Sequence, residues 1–399
     1  MKFLFSLFFI LLIECFILWC EGNPNKKNVQ YAVVIDAGSS GSRVVAYQFY
    51  NDSWNAGLTL GDELYEETQP GLSAFVDSPA EGAQAINELL LKAKKFVPKH
   101  LWKKTPAVLK ATAGLRLLHS AKAEKILKEV RKVFSKSGFL ITNNAVEIMD
   151  GDNEGVYSWF AANFLLDRFG SNSATVATLD LGGASMQVTF SLKNASERRL
   201  LAEHIKTVST SKGPMDVFTN SYLCSGLQAV RDSIYASTKP DGIKTGTSCI
   251  NGSFNFDMDQ YSDWAANSAI HFDACADLFR LKTMSLIKQK PLTLSQNEIV
   301  ATNYFYEFAT ETGLVDPARG GELTVGDFMS KASQLCVNVG KHNAVTCLDM
   351  TYIAVLLKDG YGLHPSTKIS VYRYINNHRV NWPLGCAYDL LTSTKRIFI

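Results

Sequence analysis

The sequence has no long run of like charges: 40 basic and 38 acidic residues leave a formal net charge of +2 over 399 residues. This balance argues against binding of nucleic acid or an anionic membrane through a broad basic surface, and favours a small anionic ligand. The chain also lacks the Gly-x-x-x-x-Gly-Lys-Ser/Thr sequence of P-loop enzymes, which argues against a P-loop mechanism. Low-complexity segments are absent, so we expect one large globular domain or two.

The first twenty residues differ in composition from the rest. After Lys2, an almost unbroken apolar run extends from Phe3 to Trp19 and then gives way to polar sequence. This pattern predicts a signal peptide over residues 1–20, with secretion as the default location and the ER or Golgi lumen as the alternative. Because the run is long and contains Glu14, an uncleaved N-terminal membrane anchor is the minority interpretation. No second hydrophobic span follows, so no stable membrane span is expected after cleavage.

The cysteines and glycosylation sequons fit an exported protein. Two of the eight cysteines lie in the predicted signal, and the other six form no C-x-x-C pair, so disulfides are favoured over metal ligation. Cys336 and Cys347 enclose a short loop and are the pair that we favour. The other four permit three connectivities; they are Cys224, Cys249, Cys275 and Cys386. Sequons predict N-linked glycosylation at Asn51, Asn194 and Asn251.

Two segments, 33–45 and 177–189, share one local pattern. Each has a β-rich run, an aspartate, a turn of small residues and a second β-rich run. Apolar β-branched flanks around glycine and serine predict a strand, a tight turn and a strand in both segments. We therefore expect two β-hairpins, each of which begins a domain.

Helical patterns lie between the two hairpins. The clearest covers 78–96, where Ser78 is a plausible N-cap, and others are predicted over 120–134 and 156–169. Strands mixed with helices predict an α/β fold. The segment 239–268 is interpreted as a loop-rich insertion.

The two turns have the chemistry of a phosphate site. Glycine and serine let backbone N–H groups approach phosphate oxygens without an intervening Cβ. Each turn follows an aspartate at the end of a strand, Asp36 or Asp180, and Mg²⁺ is usually held by one or two carboxylates together with phosphate and water. A single turn of this kind commonly does no more than connect two strands. Two copies in the same context favour a pseudo-symmetric cleft.

The duplication resembles the two-domain actin-like (ribonuclease H-like) architecture, with paired phosphate-binding β-hairpins. On that basis, residues 29–162 plus 372–399 are predicted to form an N-terminal domain, and residues 163–371 a second actin-like domain. The active site is expected in the cleft between them.

Five segments, spread over nearly the whole mature chain, resemble in order the conserved regions of the apyrase, or ecto-nucleoside triphosphate diphosphohydrolase, family (GDA1/CD39). Five ordered motifs are far more specific than any one of them. The segments are 36–43, 110–118, 149–155 with Trp159 and Asn163, 179–187, and 382–385.

The resemblance implies metal-dependent hydrolysis of the terminal phosphate of nucleoside tri- or diphosphates. Glu154 is then the general base that deprotonates the attacking water, and Ser185 and Gln187 help to position that water. A hydrated Ca²⁺ or Mg²⁺ is implied to face Asp36, Thr112, Asp180 and Trp382. The implied phosphate-binding residues are Ser39, Ser40, Gly41, Gly182, Gly183 and Ala184.

Several of these positions have a second interpretation. The family has an acidic residue directly before the base, where this chain has Asn153; activity is still expected, with some change in metal or pH dependence. For Trp382, packing in the core is an equally good interpretation. For Thr112, an equally good interpretation is that its hydroxyl forms a hydrogen bond with the backbone of a turn. Arg43 and Arg116 lie next to the phosphate turns, and a structural ion pair is as good an interpretation for them as a phosphate contact.

Substrate and function class leave alternatives open. Tyr304 and Tyr306 are candidates for stacking on the base, although core packing is favoured for them. The segment 347–353 resembles the soluble subgroup that prefers diphosphates such as UDP and GDP, so diphosphates are weakly favoured. One alternative is another actin-like phosphotransferase such as an exopolyphosphatase; Glu154 and the predicted signal peptide argue against it. The other is a secreted nucleotide-binding protein without activity, and Asn153 is the only residue that supports it. The oligomeric state is open.

Overall fold

The computed structural model describes residues 28–51, 57–170, 173–210, 212–237, 250–251, 269–270, 272–337 and 344–393. The predicted signal, 1–20, and nearly all of the predicted insertion, 239–268, lie outside these ranges. Within them, no helix is both long enough and apolar enough to span a membrane.

The first sheet has five strands in the order β3-β2-β1-β4-β5. The first three strands are antiparallel neighbours, and β4 and β5 run parallel to β1. The strands are β1 (Asn28–Ala37), β2 (Ser42–Asn51), β3 (Leu58–Thr68), β4 (Ala107–Ala111) and β5 (Val146–Ile148).

The second sheet has seven strands in the order β13-β14-β12-β6-β7-β9-β8. They are β6 (Ala177–Leu181), β7 (Ser185–Ser191), β8 (Ile205–Thr210), β9 (Gly213–Leu223), β12 (Ile299–Asn303), β13 (Gly321–Thr324) and β14 (Lys368–Val371). Five of them, β9-β7-β6-β12-β14, repeat the order and directions of the first sheet, and β8 and β13 extend the edges. Both predicted hairpins and the α/β class are therefore confirmed.

Two further strand pairs lie outside the large sheets. They are β10 (Ile250–Asn251) with β11 (Ala269–Ile270), and β15 (Tyr374–Ile375) with β16 (His378–Arg379). Asn376 and Asn377 connect β15 to β16 with φ of 52° and 65°. Positive φ at both turn residues is the geometry of a tight two-residue hairpin, and asparagine tolerates it better than most residues do.

Eleven α-helices accompany these strands in the described ranges. They are α1 (Pro79–Phe96), α2 (Ala113–Arg116), α3 (Ser120–Ser135), α4 (Gly151–Leu165), α5 (Ala195–Leu200), α6 (Leu227–Ser237), α7 (Phe272–Leu286), α8 (Tyr304–Glu311), α9 (Val325–Val337), α10 (Ala344–Val355) and α11 (Trp382–Ser393). The first and third confirm the helices predicted over 78–96 and 120–134.

The helix predicted over 156–169 has different bounds, because α4 begins at Gly151 and ends at Leu165. Asp150 takes the N-cap position, and Asp152 and Glu154 lie in the first turn, where negative charge interacts favourably with the helix dipole. At the other end, Asp167 has a φ of 53°, which is incompatible with a continuing right-handed helix.

Helix α4 lies between the two sheets. It contacts β6, β7 and β9 of the second sheet, and α11, which in turn packs on β1 of the first sheet. Its side chains are buried on nearly every side, Trp159 completely, as expected of a helix that is apolar all round. The N-terminal turn of this buried helix carries Glu154 to the junction of the sheets.

The disulfide predicted between Cys336 and Cys347 is confirmed, and Cys275 is also disulfide-bonded. The expectation that the remaining cysteines pair is wrong for Cys224 and Cys386, which are free thiols. Cys386 is buried in α11, and burial raises the pKa of its thiol to about 12. An even number of cysteines therefore does not dictate complete pairing here.

Candidate active site

A cleft of about 370 Å³ lies where the turns of the two sheets meet. Most of the residues predicted to form the site line it. They are Asp36, Ser39, Ser40, Thr112, Glu154, Asp180, Gly182, Gly183, Ala184, Ser185 and Trp382. Gly41 and Gln187 are not among the lining residues.

The first turn is closed by its own backbone and by Arg43. The Gly38 N–H donates to the Gly41 carbonyl over 3.0 Å, and Arg43 Nη1 donates to the same carbonyl over 3.3 Å. Arg43 Nη2 donates to the Ser40 hydroxyl over 3.3 Å. Gly41 therefore shapes the turn from behind the cleft, with its carbonyl already occupied.

Asp36 ends β1 and faces Arg43 across the hairpin. Arg43 Nη1 lies 3.8 Å from Asp36 Oδ2, whereas Asp36 Oδ1 is buried without a hydrogen-bond partner in the described residues. Burial raises the pKa of this carboxyl to about 6; Arg43 opposes the shift and Asp180 adds to it. Leaving a buried carboxylate oxygen without a partner is costly, so Asp36 is suited to a cation or its water shell.

The second aspartate, Asp180, is held by neutral donors. The Ser158 hydroxyl and the Asn303 side-chain amide both donate to its carboxylate. Burial raises the pKa of Asp180, and these donors oppose the shift.

The two turns touch each other. A Cβ placed on Gly183 would lie 2.6 Å from Ser39 Oγ in the first turn and 2.6 Å from Gln228 Oε1. Such distances are below contact, so a side chain here would displace the Ser39 hydroxyl and the end of Gln228, and glycine allows the close approach. The two turns therefore form one continuous surface.

A polar cluster is centred on Glu154. Its Oε2 accepts from Arg116 Nη2 over 2.7 Å, and Gln187 Nε2 lies 3.4 Å away. Gln187 Nε2 also donates to the Ser185 hydroxyl over 2.8 Å, and Arg116 Nη2 donates to the same hydroxyl over 3.1 Å. Gln187 thus acts from behind the cleft, and Arg116 takes the ion-pair role that the sequence left open.

The pKa of Glu154 is raised to about 8, first by burial; Asp180 and Asp36 add to the shift, and Arg116 opposes it. Without the Arg116 ion pair, desolvation would disfavour the carboxylate still more. The group is therefore able to exchange a proton near neutral pH.

The oxygen donors of the cleft fit a hydrated divalent cation better than a directly ligated one. Within the part of the chain that the structure describes, no group of three or more His, Cys, Asp or Glu side chains is arranged to hold a metal. The half-buried Asp36 and the buried Asp180 nevertheless line the cleft, and among the described residues Asp36 Oδ1 has no hydrogen-bond partner. Mg²⁺ keeps several waters when only one or two carboxylates are available.

Thr112 and Trp382 lie at helix starts on the cleft wall. Thr112 is the N-cap of α2, yet its side chain makes no capping hydrogen bond, so the backbone-satisfying interpretation does not hold. Trp382, the first residue of α11, is 4% exposed and packs in a core cluster while it also lines the cleft. Its packing and its position at the site are compatible.

Asn153, the departure from the family pattern, points away from the cleft. It is exposed, and its side-chain oxygen accepts from Lys206 Nζ over 2.8 Å; Lys206 also pairs with Asp150 over 2.8 Å. The Asn153 side chain therefore bonds to Lys206, whereas Glu154 is contacted by Arg116 and Gln187.

Sequence reasoning missed several residues of the site. Ser158 and Asn303 hold Asp180, and Gln228, Arg373 and Arg379 line the cleft. None of them lies in the two turns, and only the position of Ser158 inside the third motif offered a signal.

Tyr304 and Tyr306 both line the cleft. Tyr304 is half-buried and its hydroxyl accepts from Gln228 Nε2 over 3.1 Å, whereas Tyr306 is 4% exposed and donates to the Pro317 carbonyl. The core packing favoured for Tyr306 is therefore observed, and Tyr304 offers more of its ring to a ligand.

The predicted glycosylation sites differ in accessibility. Asn194 is exposed at the N-cap of α5, where its side-chain oxygen accepts from the backbone of Ser196 and Glu197. Asn51 is half-buried at the end of β2, and the side chain of Asn251 lies outside the described residues.

A model of the GDA1/CD39 (nucleoside phosphatase) family matches residues 23–277 and 283–397. A human relative, nucleoside diphosphate phosphatase ENTPD5, is 36% identical over 382 residues, which cover 91% of this chain and 88% of the relative. The match extends over both sheets and all five motifs.

Two solved structures share the architecture. The structure of nucleoside triphosphate hydrolases from Neospora caninum has a TM-score of 0.58 at 15% identity and covers 92% of this chain and 93% of its own. A Ppx/GppA family member from Aquifex aeolicus has a TM-score of 0.53 at 14% identity, covering 92% and 99%. At these identities only the fold is transferable, and it confirms the predicted actin-like, two-sheet architecture.

Proposed function

Because the chain belongs to the GDA1/CD39 (nucleoside phosphatase) family and is a nucleotide phosphatase, we propose that its cleft hydrolyses the terminal phosphate of nucleoside tri- and diphosphates with a Glu154-activated water. The observation that carries the proposal is the cluster of Glu154, Ser185 and Gln187 directly beside the two touching turns. Base, water-positioning groups and phosphate-binding backbone are thereby assembled in one place.

In this mechanism, Glu154 takes the proton of the attacking water. Only the carboxylate form can accept that proton; with a pKa of about 8, the ionised fraction of Glu154 grows as the pH rises through 8, so turnover is expected to increase over that range. The Ser185 oxygen already accepts from Gln187 and Arg116, so its own hydroxyl hydrogen is directed to a third group, which we propose is the water.

The phosphate chain is proposed to lie on Ser39, Ser40 and the backbone of the second turn, Gly182 to Ala184. Asp36, Thr112, Asp180 and Trp382 are proposed to hold a hydrated Ca²⁺ or Mg²⁺, which when bound offsets negative charge on the phosphate oxygens. Catalysis is then mainly positioning and electrostatic stabilisation.

We also propose that diphosphates such as UDP and GDP are preferred. Support comes from the name of the human relative, a nucleoside diphosphate phosphatase, and from the resemblance of the segment 347–353 to the soluble subgroup. Tyr304 offers a ring on which a base of either kind could stack.

Residues 29–162 plus 372–399 are proposed as one domain and 163–371 as the other. The contact of α11 with β1, which returns the C-terminal segment to the first sheet, supports this division. With the predicted signal peptide, secretion or residence in the ER or Golgi lumen is the proposed location.

The test is phosphate release from ATP, ADP, UDP and GDP by the mature chain, with Ca²⁺, with Mg²⁺ and with chelator. We expect metal-dependent turnover that falls by about two or more powers of ten in Glu154→Gln. Glu147→Gln is the matched control, because Glu147 pairs with Lys110 outside the cleft; its turnover should stay within about twofold of wild type.

Other outcomes select the alternatives. Binding of nucleotide without phosphate release would establish a non-catalytic nucleotide-binding protein, and release from polyphosphate but from no nucleotide would establish an exopolyphosphatase. Turnover that survives Glu154→Gln would show that the base is misassigned.

A further inference from the structure

Three arginines line the cleft, and they differ in their acidic partners. Arg43 lies 3.8 Å from Asp36 and 3.6 Å from Glu67, and Arg373 lies 4.0 Å from Glu307. In the described part of the chain, no carboxylate forms an ion pair with the guanidinium of Arg379. One cation of the cleft is therefore not neutralised by a direct partner.

The Arg379 guanidinium is nevertheless fixed in place. Its Cζ lies 3.7 Å from the ring centroid of Tyr65 and 5.2 Å from that of Tyr374. The Tyr65 hydroxyl donates to Glu67 Oε2 over 2.9 Å, which holds the ring. Stacking on a ring face leaves the N–H donors of a guanidinium, which lie in its plane, free for another acceptor.

The backbone at Arg379 is anchored as well. Its N–H donates to Glu63 Oε1 over 3.1 Å, and the other oxygen of Glu63 lies 3.5 Å from His378 Nδ1. Glu63 is therefore engaged directly by the backbone and by His378 and interacts with the Arg379 guanidinium only through the longer-range attraction of opposite charges, while Arg379 lines the cleft.

The same segment leads directly into the cleft wall. Val380, Asn381 and Trp382 follow Arg379 and all line the cleft, and Asn381 is held by the Tyr47 hydroxyl over 2.9 Å. A preorganised guanidinium beside two phosphate-facing turns matches the planar, bidentate geometry of phosphate oxygens.

We propose that Arg379 binds an oxygen of the nucleotide phosphate chain and thereby sets the affinity for the anionic part of the substrate. The inference rests on the proposed function, because it takes a nucleotide as the occupant of the cleft. Arg379 contributes to binding in the ground state, whereas Glu154 and Gln187 act on the water.

The test is the dissociation constant of the α,β-methylene analogue of UDP, which resists hydrolysis, measured by calorimetry at fixed Mg²⁺. Arg379→Gln is expected to weaken binding by about 10- to 100-fold, the usual range for a lost hydrogen bond to a charged group. Arg379→Lys should be intermediate, since it keeps the charge but loses the planar fork. Arg198→Gln, the matched control, should stay within about twofold, because Arg198 is exposed outside the cleft and pairs with Asp216 over 3.1 Å.

Two further readouts separate phosphate binding from a structural role. Added salt should weaken binding more in wild type than in Arg379→Gln, because one charge contact is gone. In steady-state assays with UDP, KM should rise while kcat stays within about threefold. If Arg379→Gln fails to fold, Tyr65→Leu removes the stacking surface and should weaken the analogue by about fivefold.

An analogue affinity within twofold of wild type in Arg379→Gln would overturn the inference, as would a loss that leaves the salt dependence unchanged. A wild-type protein that binds the analogue but hydrolyses no nucleotide would refute the proposed function. In that case the affinities of the Arg379 variants for the analogue would still decide this inference. A wild-type protein that does not bind the analogue would refute both.

Discussion

The β1–β2 and β6–β7 hairpins occupy equivalent places in the two sheets, but their aspartates have different neighbours. Asp36 pairs across its hairpin with Arg43, and Asp180 pairs across its own with Gln187. The first aspartate thus faces a full positive charge, and the second a neutral amide.

We propose that this difference divides the work between the two hairpins. Asp36 pairs with Arg43 through one oxygen, and its other oxygen is buried without a partner in the described residues, which suits a hydrated cation. Asp180 is satisfied by Ser158 and Asn303 instead. The Gln187 amide donates to Ser185 and Ser221 over 2.8 Å, and Glu154 Oε2 lies 3.4 Å from the same nitrogen. The repeated sheet positions these groups, and we propose that the residue across each hairpin determines whether that hairpin acts mainly on the metal or on the water.

The largest expected effect is on the second hairpin. Gln187→Leu keeps the side-chain size but removes the donor shared by Ser185 and Glu154, so kcat should fall on the order of 100- to 1000-fold. The metal concentration that gives half-maximal activity should stay within about twofold of the wild-type value. Ser221→Ala is the control: Ser221 accepts from the same amide over 2.8 Å outside the cleft, and its loss should lower kcat less than about fivefold. A changed metal requirement in Gln187→Leu would mean that the hairpins do not divide the work in this way.

A smaller effect of a different kind is expected on the first hairpin. Asp36→Asn removes the charge of the carboxylate whose Oδ1 has no partner in the described residues, so half-maximal activity should need about 10- to 100-fold more metal, with kcat largely recovered at saturation. Titration with Mg²⁺ measures this shift. Glu67→Gln removes the other acidic partner of Arg43, which is exposed, and should leave the requirement nearly unchanged. An unaltered titration curve in Asp36→Asn would contradict the proposed metal position.

Local sequence was sufficient to predict both hairpins and to place Asp36 and Asp180 at the ends of their strands. Alternation of apolar residues and the small-residue turns are properties of short segments, and nothing distant alters them. Ser158 and Asn303, in contrast, reach Asp180 from α4 and from the end of β12. Such contacts depend on how the elements pack, which local patterns do not specify.

Two differences from the sequence predictions have the same origin. Helix α4 begins five residues earlier than predicted, and because it lies between the two sheets, Glu154 in its first turn is only 8% exposed. Counting cysteines predicted further disulfides, yet Cys386 is enclosed in the core by α11 and remains a thiol. Burial set by tertiary packing decided both cases.

The smallest effect in this comparison is expected where the hairpins touch. Gly183→Ala would place a Cβ 2.6 Å from both Ser39 Oγ and Gln228 Oε1, whereas at Gly182 the nearest atom, the Ser185 carbonyl oxygen, would be 3.2 Å away. Neither glycine has a positive φ, so space rather than backbone strain distinguishes the two substitutions. Because the crowded atoms are side-chain ends that can rotate, we expect KM to rise about 10-fold for Gly183→Ala and about twofold for Gly182→Ala.

A double-mutant cycle with Ser39→Ala isolates the contact between the turns: if the Cβ acts by displacing the Ser39 hydroxyl, the two effects will be less than additive. Strict additivity would show that the hairpins bind phosphate independently.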